Sequence, residues 1–281
     1  MQLWFTEKQT RQVRFSIKVN KQLFSGNSGF QKIDVFESAE LGRILTLDGY
    51  TMLTEKDEFI YHEMITHVPM AAQPDVKKAL VIGGGDGGTV RELARYQTVE
   101  SIDLVEIDRL VIDVCKDYLP FTSCGLEDER VHIFIQDGAE YVKNVKNQYE
   151  LIVVDSTDPV GIGEELFTKE FYENCYNALK DNGVMVNQLG TPFYYEDSQT
   201  TQRSYKRIIE QFPIVKAYQA HIPTYASGHW LFGFASKQQQ PVNDLSAAKW
   251  NSLGIKTKYC NAELLAGAFA LPTYVIELLT R

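Results

Sequence analysis

From residue 74 to residue 209 the chain alternates short apolar runs with stretches of helical spacing. KALVIGG, SIDLVEID, VHIFIQDG, YELIVVDS and GVMVNQLG each precede a segment such as VRELARY or KEFYENCYNAL. Near-continuous apolar strands separated by helices predict a parallel sheet covered on both faces. Two later apolar runs, 214–220 and 230–235, are joined by IPTYASGH and lack a crossover helix, so an antiparallel edge pair is expected there. Before this repeat the pattern differs. Phe15, Ile17 and Val19, then Ile33 and Val35, alternate in the strand manner, with turns at Gly-Asn-Ser-Gly (26–29) and Asp48-Gly49. From Lys56 the spacing of Ile60, Met64, Ile65 and Val68 turns helical and is expected to stop before Pro69. A small antiparallel β domain over 1–54 and an α/β domain over 55–281 follow from this change of period.

The first strand of the repeat runs into GGGDGG, where Gly83, Gly85 and Gly88 satisfy GxGxxG and Glu106 closes the next strand. The spacing is that of a dinucleotide fingerprint. Asp86 conflicts with it, because a carboxylate in that loop repels the pyrophosphate its amides would otherwise receive. An adenosine ligand without phosphates removes the conflict: glycines admit close backbone approach, and Glu106 can accept from both ribose hydroxyls. Nicotinamide enzymes and adenosyl-sulfonium enzymes both remain open on these residues. Asp137, at the end of the third strand, can accept from an adenine amino group or simply cap the helix starting near Ala139.

Asp155-Ser156-Thr157-Asp158 ends the fourth strand, where open α/β sheets place their ligands. Asp86, Glu106, Asp137, Asp155 and Asp158 thus crowd one rim with no Lys or Arg evident beside them, which points to bound cations or amines. A hard Mg or Ca site is the competing reading. His62 and His67 are five apart, so HExxH is absent, and no metal is expected. Net charge is -9 and no basic block occurs, which disfavours nucleic acid and suits a cationic ligand. Cys115, Cys124, Cys175 and Cys260 form no CxxC, and MQLWFTEKQTRQVRF lacks a signal-peptide apolar stretch, so a cytoplasmic setting is expected, with Cys115 and Cys175, in helical patterns, as buried, inert thiols. No apolar run of about 18 residues suggests a membrane span.

In order along the chain, LWFTEKQT, LDGYTMLTEKDEFIYHEM, VIGGGDGG, LVEID, the Asp-Gly at 137, DSTDPVG, IPTYASGHW and LPTYV together resemble bacterial spermidine synthases. The resemblance spans essentially the whole chain. It implies a methyltransferase-like Rossmann domain behind the small N-terminal β domain, and a homodimer or homotetramer. It implies transfer of an aminopropyl group from decarboxylated S-adenosylmethionine to putrescine, giving spermidine and methylthioadenosine, with the donor a co-substrate and no cofactor. Carried over by position, Gln31, Glu106, Asp137 and Gly138 hold the adenosine part. His62, Asp86, Asp155 and Asp158 line the polyamine side, with Asp155 the proton acceptor and Ser156 and Thr157 beside it. Tyr61 and Tyr225 match the active-site tyrosines, and Trp230 walls the diamine slot. Two ligand-side positions depart from the pattern: Ile162 and Ala226 stand where the family commonly has Pro. A methyltransferase shares the fold, and a polyamine-binding protein without turnover shares the acidic rim. Asp86 opposes the carboxylate of S-adenosylmethionine, with an expected preference for the decarboxylated donor of at least about 100-fold, or roughly 2.7 kcal/mol.

Overall fold

Burial of both faces of the apolar strands organises the computed structural model, which describes residues 2–157, 161–241 and 247–281. Strands β7 (Lys78–Gly83), β8 (Ser101–Glu106), β9 (Val131–Ile135), β10 (Tyr149–Asp155) and β11 (Leu179–Gly190) pair in parallel. The edge is antiparallel: β13 (His229–Ser236) pairs with β11, and β12 (Ile214–His221) with β13. The sheet order is β12-β13-β11-β10-β7-β8-β9. Alternate residues of each strand enter opposite cores. Ala79 and Val81 face a cluster containing Met64, Ile65 and Val90, whereas Leu80 and Ile82 face one containing Phe171, Tyr172 and Cys175.

The chain moves outward from β7 to β8 and β9, then returns to the other side of β7 as β10. That reversal opens a crevice at the carboxyl ends of β7 and β10, the place where such sheets bind ligands. Gly83 and Asp155 are register partners at its floor.

The N-terminal unit comprises a ribbon of β1 (Leu3–Lys8) and β2 (Arg14–Val19), and a sheet of β3 (Lys21–Asn27), β4 (Lys32–Ser38), β5 (Gly42–Leu47) and β6 (Tyr50–Thr54). Asp48 and Gly49 turn the β5–β6 hairpin with φ of 50° and 82°, the left-handed pair that a two-residue turn demands. Ile33, Val35, Leu45 and Leu53 pack on Val111, Val114 and Cys115 of the helix Arg109–Tyr118, which lays this sheet over the glycine loop.

Helix α1 spans Glu58–Ala72 and passes through Pro69, contrary to the expected stop. Proline there forfeits the bond its missing N–H would have made and crowds the carbonyl of Ile65 four residues earlier. Complete burial of Val68 and Met70, with Ala71 and Ala72 nearly so, outweighs that loss, and Gln73 N–H still closes on Pro69 O at 2.8 Å. Helix α2, Gly88–Ala94, starts directly from the glycine loop.

Candidate active site

Three glycines with positive φ, Gly83, Gly84 and Gly87, fold the loop back toward β10. A side chain at Gly83 would stand 2.2 Å from the backbone oxygen of Asp155, so only glycine lets the two strand ends meet. At Gly88 a Cβ would lie 2.3 Å from the His62 ring, and its absence admits the imidazole to the rim.

The loop amides are already engaged by carboxylates. Gly85 N–H donates to Glu106 Oε2 at 3.2 Å, and Gly88 N–H donates to Asp86 Oδ1 at 2.8 Å. A pyrophosphate would have to displace both acids, so the dinucleotide reading of the motif loses its physical basis. Glu106 also accepts from Asp108 N–H at 2.9 Å, and burial pushes its carboxyl up to about 7. Asp108 in turn accepts from Gln31 Nε2 at 2.9 Å and Ser28 Oγ at 2.6 Å, tying the β3–β4 turn to the end of β8. Asp137 caps its helix, accepting from Ala139 N–H at 2.7 Å and Glu140 N–H at 3.1 Å. The capping expectation is met, and the residue still lines the cleft with Gly138.

On the other side, α1 presents Tyr61 and His62 on successive positions. Tyr61 Oη donates to Asp155 Oδ1 at 2.7 Å, and Thr89 Oγ1 donates to Asp155 Oδ2 at 2.6 Å. His62 lies between two acids, with Nδ1 2.6 Å from Glu58 Oε2 and Nε2 3.2 Å from Asp86 Oδ1. Arg91 completes the row, donating to Glu58 Oε1 at 2.9 Å and Oε2 at 3.0 Å. Burial opposes a charge on His62, but Asp86 and Glu58 raise it to about 10, which favours the imidazolium at neutral pH. Burial likewise opposes ionisation of Asp86, yet His62, the Gly88 amide and Arg91 hold its carboxyl below the ordinary range. Asp155 behaves oppositely. Burial and the Asp86 charge raise it above the usual carboxylate value, against the smaller help of His62, Thr89 and Tyr61.

The compensating cation that seemed missing is therefore present. Arg91 and His62 balance Glu58 and Asp86, so the rim is less acidic than its carboxylates alone suggest. Oxygen and nitrogen atoms of His62, Asp86 and Asp155 lie within 4.8 Å of one another, a spacing open to a metal ion. Both ring nitrogens of His62 already face carboxylates, however, so a metal there would have to displace the His62–Asp86 contact and the ring proton.

Aromatic rings wall the slot beyond Asp155. Tyr225 packs edge-on to Trp230 at 4.8 Å between centroids and lies 5.9 Å from Tyr61, while its hydroxyl donates to Met52 O at 2.5 Å. Gln31, Tyr61, His62, Asp86, Glu106, Asp137, Gly138, Asp155, Ser156, Thr157, Tyr225 and Trp230 all line this one cleft. Ala226 lines it too, at the start of the turn after Tyr225. Asp158 and the side chain of Ile162 lie outside the described residues. Sequence reasoning missed Glu58, Thr89 and Arg91, as well as the wall supplied by β1 and β6 through Glu7 and Met52. The four-residue interval from Glu58 to His62 on a helix was a usable signal for the first of these.

Residues 58–246 match the spermine/spermidine synthase domain, and residues 3–55 match the spermidine synthase tetramerisation domain. The chain belongs to the spermine/spermidine synthase family. It is an aminopropyltransferase by that membership. It is similar to the polyamine aminopropyltransferase of Alkaliphilus oremlandii (strain OhILAs), 62% identical over 281 residues, covering 100% of this chain and 99% of the relative. The enzyme of the same name from Clostridium perfringens (strain ATCC 13124) is 61% identical over 279 residues, covering 99% and 98%. Among solved structures, a spermidine synthase in complex with the transition-state analogue AdoDATO has a TM-score of 0.97 at 46% identity, covering 99% of this chain and 95% of that one. The spermidine synthase from Thermotoga maritima has a TM-score of 0.94 at 44% identity, covering 99% and 94%. These matches carry the methyltransferase-like fold and aminopropyl transfer over the plain methyltransferase reading.

Proposed function

We propose that this aminopropyltransferase uses decarboxylated S-adenosylmethionine as donor and putrescine as acceptor, releasing spermidine and methylthioadenosine. The donor is a co-substrate, and no cofactor is required. The adenosine part lies against Gln31, Glu106, Asp137 and Gly138, and the aminopropyl group points toward Asp86 and Asp155. A neutral amine nitrogen attacks the methylene next to the sulfonium. The C–N bond forms as the C–S bond breaks, and the electron pair left on sulfur makes a neutral thioether. The new ammonium centre gives its excess proton to Asp155.

The observation that carries this reading is the state of Asp155. A carboxylate is ordinarily a weak base toward an ammonium with a pKa near 10.4. Burial and the charge of Asp86 make Asp155 a better one, and Tyr61 and Thr89 fix its two oxygens. Orientation and charge stabilisation supply the remainder. Ser156 and Thr157 belong to the same acceptor side, to which the resemblance also assigns Asp158, and Tyr61, Tyr225 and Trp230 enclose the diamine's carbon chain. A slot of this kind favours four carbons over five by roughly 1 to 3 kcal/mol.

The match of residues 3–55 supports a homodimer or homotetramer through the N-terminal sheets. Among the described residues no helix is long and apolar enough to cross a membrane. The test is incubation with decarboxylated S-adenosylmethionine and a panel of putrescine, cadaverine, agmatine and spermidine, with products identified by mass. Putrescine is expected to give the highest kcat/KM. A higher value for spermidine or cadaverine would remove the acceptor assignment, and absence of any aminopropylated product would remove the whole reading.

A further inference from the structure

Thr89 is completely buried at the second position of α2. Valine has nearly the same shape and would suit such surroundings without a polar atom to satisfy. In the first turn of α2, Thr89 has no helical carbonyl three or four residues earlier to take its hydroxyl. Thr89 instead sends Oγ1 across the crevice to Asp155 Oδ2 at 2.6 Å, the short distance of a hydroxyl donating to a charged acceptor. The other oxygen, Oδ1, takes the Tyr61 hydroxyl at 2.7 Å. The carboxylate plane is thus fixed from two elements, α1 and α2. The glycine loop leaves room for this arrangement, since a Cβ at Gly84 would stand 2.9 Å from Oδ2.

We infer that Thr89 is a positioning residue for the proton acceptor: its hydroxyl orients Asp155 and supports the basic, charged form of that carboxylate. The inference rests on Asp155 being the proton acceptor, as proposed above. The groups facing Asp155 are Tyr61 and His62 from α1, Asp86 from the glycine loop and Thr89 from α2. Asp86 disfavours the charged carboxylate; His62, Thr89 and Tyr61 favour it. Removing the Thr89 hydroxyl therefore shifts the balance toward the protonated, inactive acid.

The test compares pH profiles of kcat for the parent enzyme, Thr89→Val and Thr89→Ser. The acceptor's own ammonium titrates identically in all three, so any difference between profiles belongs to the enzyme. Thr89→Val should move the acid limb up by about one pH unit, giving about a tenfold deficit on the acid side. The deficit should shrink to under about threefold on the alkaline side, where the carboxylate is ionised regardless. Thr89→Ser should restore the parent limb. Infrared titration of the Asp155 carboxyl band, with Asp155→Asn as the blank, reads the same shift without turnover. A uniform loss at all pH values, or an unmoved limb and band, would overturn the inference. If Asp155→Asn itself retains turnover, the proton-acceptor reading fails instead, and the two failures are distinguishable.

Discussion

The two halves of the cleft treat their carboxylates differently. Beneath the donor's expected adenosine, Glu106 is held by the amides of Gly85 and Asp108 and, among the described residues, has no cation against it. Burial lifts it to about 7. Across the crevice, Asp86 is one member of a row running Arg91, Glu58, His62, Asp86, in which charges alternate. It stays ionised despite its burial. Asp155, the next carboxylate along, lies outside that row and is pushed the other way. At Asp86, proposed to hold an ammonium, the partner cation outweighs burial. At Asp155, proposed to accept a proton, burial and the Asp86 charge outweigh the help of the same His62.

Replacing the uncompensated acid should have the largest effect. Asp155→Asn keeps size and one acceptor oxygen but turns the other into an NH2 donor and abolishes basicity, so turnover should fall by about two orders of magnitude or more while methylthioadenosine binding is retained. Turnover within about threefold of the parent would show that the proton leaves by another route. Steady-state kinetics with calorimetric binding on the same variant decides between these outcomes.

Replacing the compensated acid should do less. The sequence alone suggested a 100-fold donor preference from an isolated Asp86, but His62 at 3.2 Å offsets much of that field. A remaining preference of about tenfold for decarboxylated over intact S-adenosylmethionine, roughly 1.4 kcal/mol, is expected in the parent. Asp86→Asn should reduce it to about threefold or less by weakening the decarboxylated donor. Equal ratios of dissociation constants in parent and variant would mean that the row does not select the donor.

The legible parts of the molecule were those set by local periodicity. The strand-helix repeat, the antiparallel edge of β12 and β13, the Asp48-Gly49 turn and the glycine loop all state their geometry within a few residues. Carboxylates at strand ends were legible too, because topology brings every such end to one rim. What escaped depended on contacts between elements. Glu58 reads as an ordinary first-turn acid and Arg91 as a surface base until α1 and α2 are packed, when they meet across the helix pair. Thr89 looks like one more α2 residue until β10 delivers Asp155 to its hydroxyl. Pro69 misled for the same reason, since a local rule yielded to burial of the whole last turn of α1.

The charge on His62 tests the contrast most directly, because every other assignment in the row depends on it. With Glu58 and Asp86 at its two nitrogens, its pKa is raised to about 10, so the native ring should stay protonated while an unfolded histidine titrates near 6.5. Its contribution to stability is accordingly full below about pH 6.5 and lost as pH rises toward 10. Nitrogen-15 NMR of the imidazole, assigned by His62→Gln, should show both nitrogens protonated at pH 8. A neutral His62 at pH 8 would contradict the account, leaving Asp86 without its cation and erasing the difference between the two acids.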